Sequence, residues 1–150
     1  MNKPRILHIP AHEHTKKVFS QKSWDEMYQK FDLTVNDSDR DLSEKEIKEL
    51  IKDQDGLITG WGTSSEDTLR PTGAKNLTPD IMNSANNLKI IAHSGGTVRN
   101  MLQAVWKDHI KRREICVFNA TKEIAYNVAE TTIGLIHHDK QKTHGICPFR

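Results

Sequence analysis

Five short apolar runs, each followed by a segment with helical spacing of its apolar residues, restrict this chain more than any other feature. The runs are Arg5–Ile9, Asp32–Val35, Gly56–Thr59, the stretch from Leu88, and Ile115–Phe118. They are rich in β-branched residues and show no strict alternation, as strands buried on both faces do. Helical spacing follows each one: Val18, Phe19, Trp24, Met27, Tyr28 and Phe31 after the first, and Ile47, Leu50 and Ile51 after the second. Ile81, Met82 and Ala85 follow the third, Val98, Met101, Leu102, Val105 and Trp106 the fourth, and Ile124, Val128, Ala129, Ile133 and Leu135 the fifth. Strands alternating with helices imply a parallel sheet with right-handed crossovers. The expected fold is α/β, a flavodoxin-like doubly wound sandwich on a five-stranded parallel sheet.

Local signals set the boundaries. Pro10 stops the first strand. Thr15 is the expected N-cap of the next helix. Ser43 and Glu46 have capping-box spacing. Thr78 followed by Pro79 reads as an N-cap with proline at the first helical position. Ser64 to Asn76 is polar, contains Pro71 and Gly73, and reads as a surface loop. The domain is expected to span 1–136 and to end in the helix carrying Ile124 to Leu135. That helix is apolar on more than one side and calls for a second partner surface. Residues 137–150 read as a polar, disordered tail.

Composition removes several function classes. The formal net charge is +2, from 22 basic and 20 acidic residues, so no long-range field invites nucleic acid. Lys107, Lys111, Arg112 and Arg113 read as a solvated helix face. Two cysteines form neither a disulfide framework nor a zinc pattern, and Cys116 reads as a small core residue. His12 and His14 lie in an expected loop with no third ligand nearby, so no metal site is assigned. No spanning segment or leader is visible, and a reducing, cytoplasmic setting is the expectation.

Candidate chemistry concentrates at strand exits, where open parallel sheets hold ligands. Ser94-Gly95-Gly96-Thr97 follows the fourth run. Adjacent glycines permit φ > 0 and leave N–H groups without side-chain cover, which suits an anion. They suit equally a tight connection between strand and helix. Gly60-Trp61-Gly62-Thr63 follows the third run. Trp61 either walls a ligand pocket or packs as core.

Taken together, Leu57-Ile58-Thr59-Gly60-Trp61-Gly62-Thr63, Thr78-Pro79-Asp80-Ile81-Met82, Leu88 to Arg99, Ile115-Cys116-Val117-Phe118-Asn119 and Asn127-Val128-Ala129-Glu130-Thr131-Thr132 resemble the D-isomer-specific 2-hydroxyacid dehydrogenases. Each motif alone is weak; their order and spacing over 1–136 carry the resemblance. It implies a substrate-side domain that takes a small 2-hydroxy or 2-oxo acid. The carboxylate would fall to Ser94, Gly95, Gly96 and Thr97, with Trp61 and Gly62 lining the same cleft. It implies NAD or NADP as the family's cofactor, with Val128 and Thr132 near the nicotinamide, and a possible homodimer. The family continues into a G-x-G-x-x-G turn and a catalytic Arg, Glu and His. This sequence contains no such turn, and its histidines match none of those positions. The expectation is a chain truncated before the nucleotide-binding domain, with no catalytic residue assigned, that binds no cofactor and is inactive alone. The alternative is a non-catalytic module that self-associates through the apolar helix of residues 123–136.

Overall fold

The computed structural model describes residues 2–60 and 77–142; side chains at 13, 14 and 134–142 are outside that description. Trp61, Gly62 and the expected loop at 64–76 therefore lie outside the described residues. The chain divides into two compact units, Met1–Asn119 and Ala120–Arg150.

In the first unit, β1 (Arg5–His8), β2 (Asp32–Val35), β3 (Gly56–Thr59), β4 (Ile90–His93) and β5 (Cys116–Asn119) form one parallel sheet in the order β2-β1-β3-β4-β5. This is the flavodoxin-like order, with the reversal of direction between β1 and β3. The register puts Leu7, Leu57 and Ile91 in one row across the sheet. They pack with Ile47 and Ile51 from the segment of α3 (Glu44–Leu50), Ile81 and Met82 of α4 (Pro79–Ser84), and Met101 and Leu102 of α5 (Arg99–Leu102). Every one of these residues is buried.

The neighbouring rows face the other way. Ile6, Gly56, Ile90 and Cys116 share one row, and His8, Ile58, Ala92 and Phe118 the next. Over His8 sits an aromatic cluster of Phe19 and Trp24, at ring centroid distances of 5.7 and 5.2 Å, continued by Tyr28. Toward β5 this side opens: Phe118 is 59% exposed, and Cys116 is exposed rather than core. The reason is pleat. Ile115 and Val117 take the core side of the edge strand, so the residues between them take the opposite side.

Several helices depart from the sequence-based reading. The segment after β1 is two helices, α1 (His12–Val18) and α2 (Gln21–Lys30), not one. Ser20 restarts the second by accepting from the Ser23 N–H at 3.2 Å. Thr15 is no N-cap: it lies inside α1, and its hydroxyl donates back to the Ala11 carbonyl. His12, expected in a loop, opens α1. The capping box of α3 and the Thr78 cap of α4 are as expected. Leu50, expected inward, is 38% exposed, because Ile47 and Ile51 already define the buried side.

The expected single helix after β4 breaks after Leu102 and resumes as a π-helical segment, Trp106–Lys111. Its wider bonds run from Ile110 N–H to Val105 C=O and from Ile115 N–H to Ile110 C=O. A tight turn, with the Val105 N–H on the Leu102 carbonyl, precedes the segment, and Trp106 at its head is 50% exposed while Val105 and Ile110 are buried. Glu114 then ends the segment at φ 54°. Arg113 also departs from expectation. Its guanidinium donates to the carbonyls of Met82, Ala85 and Asn86, locking the carboxyl end of α4, while Lys107, Lys111 and Arg112 are solvated.

The second unit is described by α6 (Thr121–Lys142). The helix continues six residues past Ile136, where a disordered tail was expected. Lys140, Gln141 and Lys142 are good helix formers, and the lysines favour a helix carboxyl end. Within α6, Ile124, Tyr126, Val128 and Ile133 are exposed. No described helix is long and apolar enough to cross a membrane.

Candidate functional site

The carboxyl edge of the sheet carries buried polar groups that its core rows lack. At the exit of β1, backbone polar groups are closed off by Asn36. Its amide donates to the Ile9 carbonyl at 3.2 Å and to the Arg40 carbonyl at 2.9 Å. Its carbonyl accepts from the Ser38 N–H and hydroxyl. The exit next to the reversal point is thus filled by protein.

The exits of β3 and β4 are built differently. Thr59 and His93, paired in register, are the last residues of β3 and β4, with exposures of 0% and 4%. Thr59 Oγ1 lies 2.8 Å from His93 Nδ1. The Thr59 carbonyl accepts twice from Ser94, from its N–H at 2.8 Å and its hydroxyl at 3.1 Å. Gly95 is buried, and Gly96 is half-buried. Thr97 turns its hydroxyl toward α5, accepting the Arg99 N–H at 3.3 Å.

The four candidate residues Ser94, Gly95, Gly96 and Thr97 therefore share one turn at the end of β4. Their roles within it separate. Both polar hydrogens of Ser94 point at Thr59, so this residue fastens the turn. Among the described residues, no hydrogen-bond acceptor takes the N–H of Gly95 or Gly96. Gly96 corrects one expectation: its φ is not in the left-handed region, so conformation does not demand glycine. Nor does crowding, since a Cβ built there meets nothing within 4 Å. Open space thus lies beside Gly96 among the described residues, whereas Gly95 is buried.

His8 and His93 were not singled out from the sequence as site residues. Their positions at the ends of apolar runs were the available signal. His8 lies under the aromatic cluster and His93 against Thr59, both buried. Val128 and Thr132 lie one helical turn apart on α6. The Thr132 hydroxyl donates to the Val128 carbonyl at 2.7 Å, and Val128 is an exposed apolar side chain. Among the described residues, no group of three His, Cys, Asp or Glu side chains is placed to hold a metal ion.

No family model matches the chain, and a search of curated proteins gives no match. Solved structures do match. The PH0520 protein from Pyrococcus horikoshii OT3 superposes with a TM-score of 0.58 at 21% identity, over 95% of this chain and 35% of that one. An NAD+-bound 3-phosphoglycerate dehydrogenase of Entamoeba histolytica gives 0.53 at 18% identity, over 99% of this chain and 43% of that one. The likeness shows the fold, and this chain spans well under half the length of either neighbour.

Proposed function

We propose that this chain is the acid-binding half of an NAD(P)-dependent oxidoreductase of the 2-hydroxyacid dehydrogenase type. The observation that carries the reading is Gly96, a glycine required by neither backbone conformation nor packing, in a turn with open N–H groups at a strand exit. A carboxylate seated there accepts from the Gly95 and Gly96 amides, and its apolar or hydroxylated end lies outward. The fold neighbours support this reading, one of them being an NAD+-bound dehydrogenase. So do the motifs from Leu57 to Thr63 and from Leu88 to Arg99.

Hydride exchange in such chemistry belongs to the nicotinamide. This chain's own part is to bind and orient the acid. Its sequence holds no G-x-G-x-x-G turn. It therefore neither holds NAD(P) nor reduces a 2-oxo acid alone. Calorimetric titration of the 150-residue chain with oxalate, a carboxylate mimic of the 2-oxo acids, tests the binding claim. Saturable binding that weakens at least tenfold in Gly96→Ala is expected, and no binding by the parent chain overturns it. NADH consumption with a panel of 2-oxo acids tests the second claim, and turnover by the purified chain would refute it.

A second reading rests on a separate observation, the exposed Ile124, Tyr126, Val128 and Ile133 of α6. Ile124 and Val128 lie on one side of the helix and Tyr126 and Ile133 on the other, and exposed apolar side chains on both support self-association as a homodimer. Sedimentation velocity over a concentration series checks it: a monomer at every concentration removes this reading.

A further inference from the structure

We infer that Thr59 is a positioning residue for the glycine turn, holding Gly95 and Gly96 in place through His93 and Ser94. The inference rests on the acid-binding reading of that turn and assigns a cause to its geometry.

Thr59 occupies the core side of β3, in line with Leu57 two residues earlier. Aliphatic residues fill that side along the sheet: Leu7, Leu57 and Ile91. A valine at 59 and a leucine at 93 would continue the pattern without removing polar groups from water. Instead a hydroxyl and an imidazole are buried together, which is costly unless they bond to each other. They do, at 2.8 Å. With Nδ1 unprotonated the threonine hydroxyl donates; with the other tautomer it accepts.

The same residue also makes the next connection. Its main-chain carbonyl accepts both the N–H and the hydroxyl of Ser94. Three bonds from one residue thus hold two consecutive residues, His93 and Ser94, immediately before Gly95. The chain then enters two glycines, which lack side chains to fix their own direction. Past them the next described bond is the one from Arg99 to Thr97. The orientation of the Gly95 and Gly96 amides is consequently set from the Thr59 side.

The distinction from ordinary core satisfaction is experimental. Thr59→Val keeps the shape and removes the hydroxyl; Thr59→Ser keeps the hydroxyl and removes a methyl. Oxalate affinity of the 150-residue chain is measured well below each variant's unfolding midpoint. Amide resonances of Gly95 and Gly96 are followed alongside, without ligand. Thr59→Val is expected to bind oxalate about tenfold more weakly and to displace both glycine resonances, the loss of one buried hydrogen bond expressed as affinity. Thr59→Ser is expected to restore both readouts even where its melting point is lower. If Thr59→Val does not fold, Thr59→Cys, a weaker hydrogen-bonding group of similar size, is expected to fall between the two.

A folded Thr59→Val with unmoved glycine resonances overturns the positioning role, as does unchanged oxalate affinity. Failure of the parent chain to bind oxalate overturns the acid-binding reading instead, and the glycine resonances still decide the role of Thr59.

Discussion

The two edges of the sheet use polar groups in opposite ways. At the amino edge they fasten strand to strand. Asp55 donates its N–H to the Arg5 carbonyl and accepts the Lys89 N–H on its own carbonyl. Its carboxylate accepts the Arg5 N–H at 3.0 Å and the Lys89 ammonium at 3.0 Å. One residue thereby joins β1, β3 and the approach to β4. At the carboxyl edge Thr59 makes similar use of its backbone and side chain, but the chain it fastens runs on into amides with no described acceptor. Among the described residues, the one edge closes its bonds strand to strand, while the other leaves amides without a described acceptor just past the end of β4.

The largest expected effect comes from breaking the closed edge. Gly56 sits between Ile6 and Ile90 in register, and a Cβ there would lie 2.6 Å from Ile6 Cδ1 and 2.9 Å from Ile90 Cγ2. Gly56→Val should cost about 2 kcal/mol through overpacking, read as a lower urea midpoint at unchanged slope. A stability loss below the error of the fit would mean the strands part more readily than drawn.

Next comes Asp55→Asn. The Arg5 N–H, and then Lys89, hold the Asp55 carboxyl below its ordinary value. A depressed native value means the contribution is complete above the unfolded carboxyl pKa and fades as pH falls through the native one. The substitution should cost about 1 kcal/mol at neutral pH, and the cost should shrink as pH falls below the ordinary carboxyl range and through the lowered native value. Urea titrations at neutral and at acid pH check this; an equal loss at both would assign the effect to shape, not charge.

The smallest effect on stability, and the most informative, belongs to the open edge. Gly96→Ala should leave the fold intact or stabilise it by about 0.5 kcal/mol, because alanine restricts the unfolded chain and meets no neighbour. The same substitution should weaken oxalate. Opposite signs on stability and binding would set the two edges apart more sharply than either alone; loss of stability would show that glycine serves the fold.

Much of this was readable in the sequence, and the failures have physical causes. Strand positions and parallel order followed from apolar runs and helical spacing, because burial on both faces is written directly into composition. Caps at Ser43 and Thr78 were readable because they depend on residues three apart. Cys116, Leu50 and Trp106 were misplaced because their sides depend on pleat, on which helical positions other residues fill, and on the break in winding between Leu102 and Trp106. The glycine turn was visible as a pair of letters. That Ser94 faces Thr59, and that Gly96 needs no special φ, depends on β3 and β4 lying side by side, a fact 35 residues apart in the chain.

The π-helical segment carries a consequence for length variation. Widened turns of this kind hold one residue more than an α-helix of equal rise. Deleting a single residue between Trp106 and Lys111 would let the segment close to ordinary winding without shortening its span. Most helices in a small sheet protein break when shortened by one position, since every later side chain swings by about 100°. Here the surplus residue of the widened turns would absorb the loss, so Ile115 and the strand after it would keep their side of the sheet.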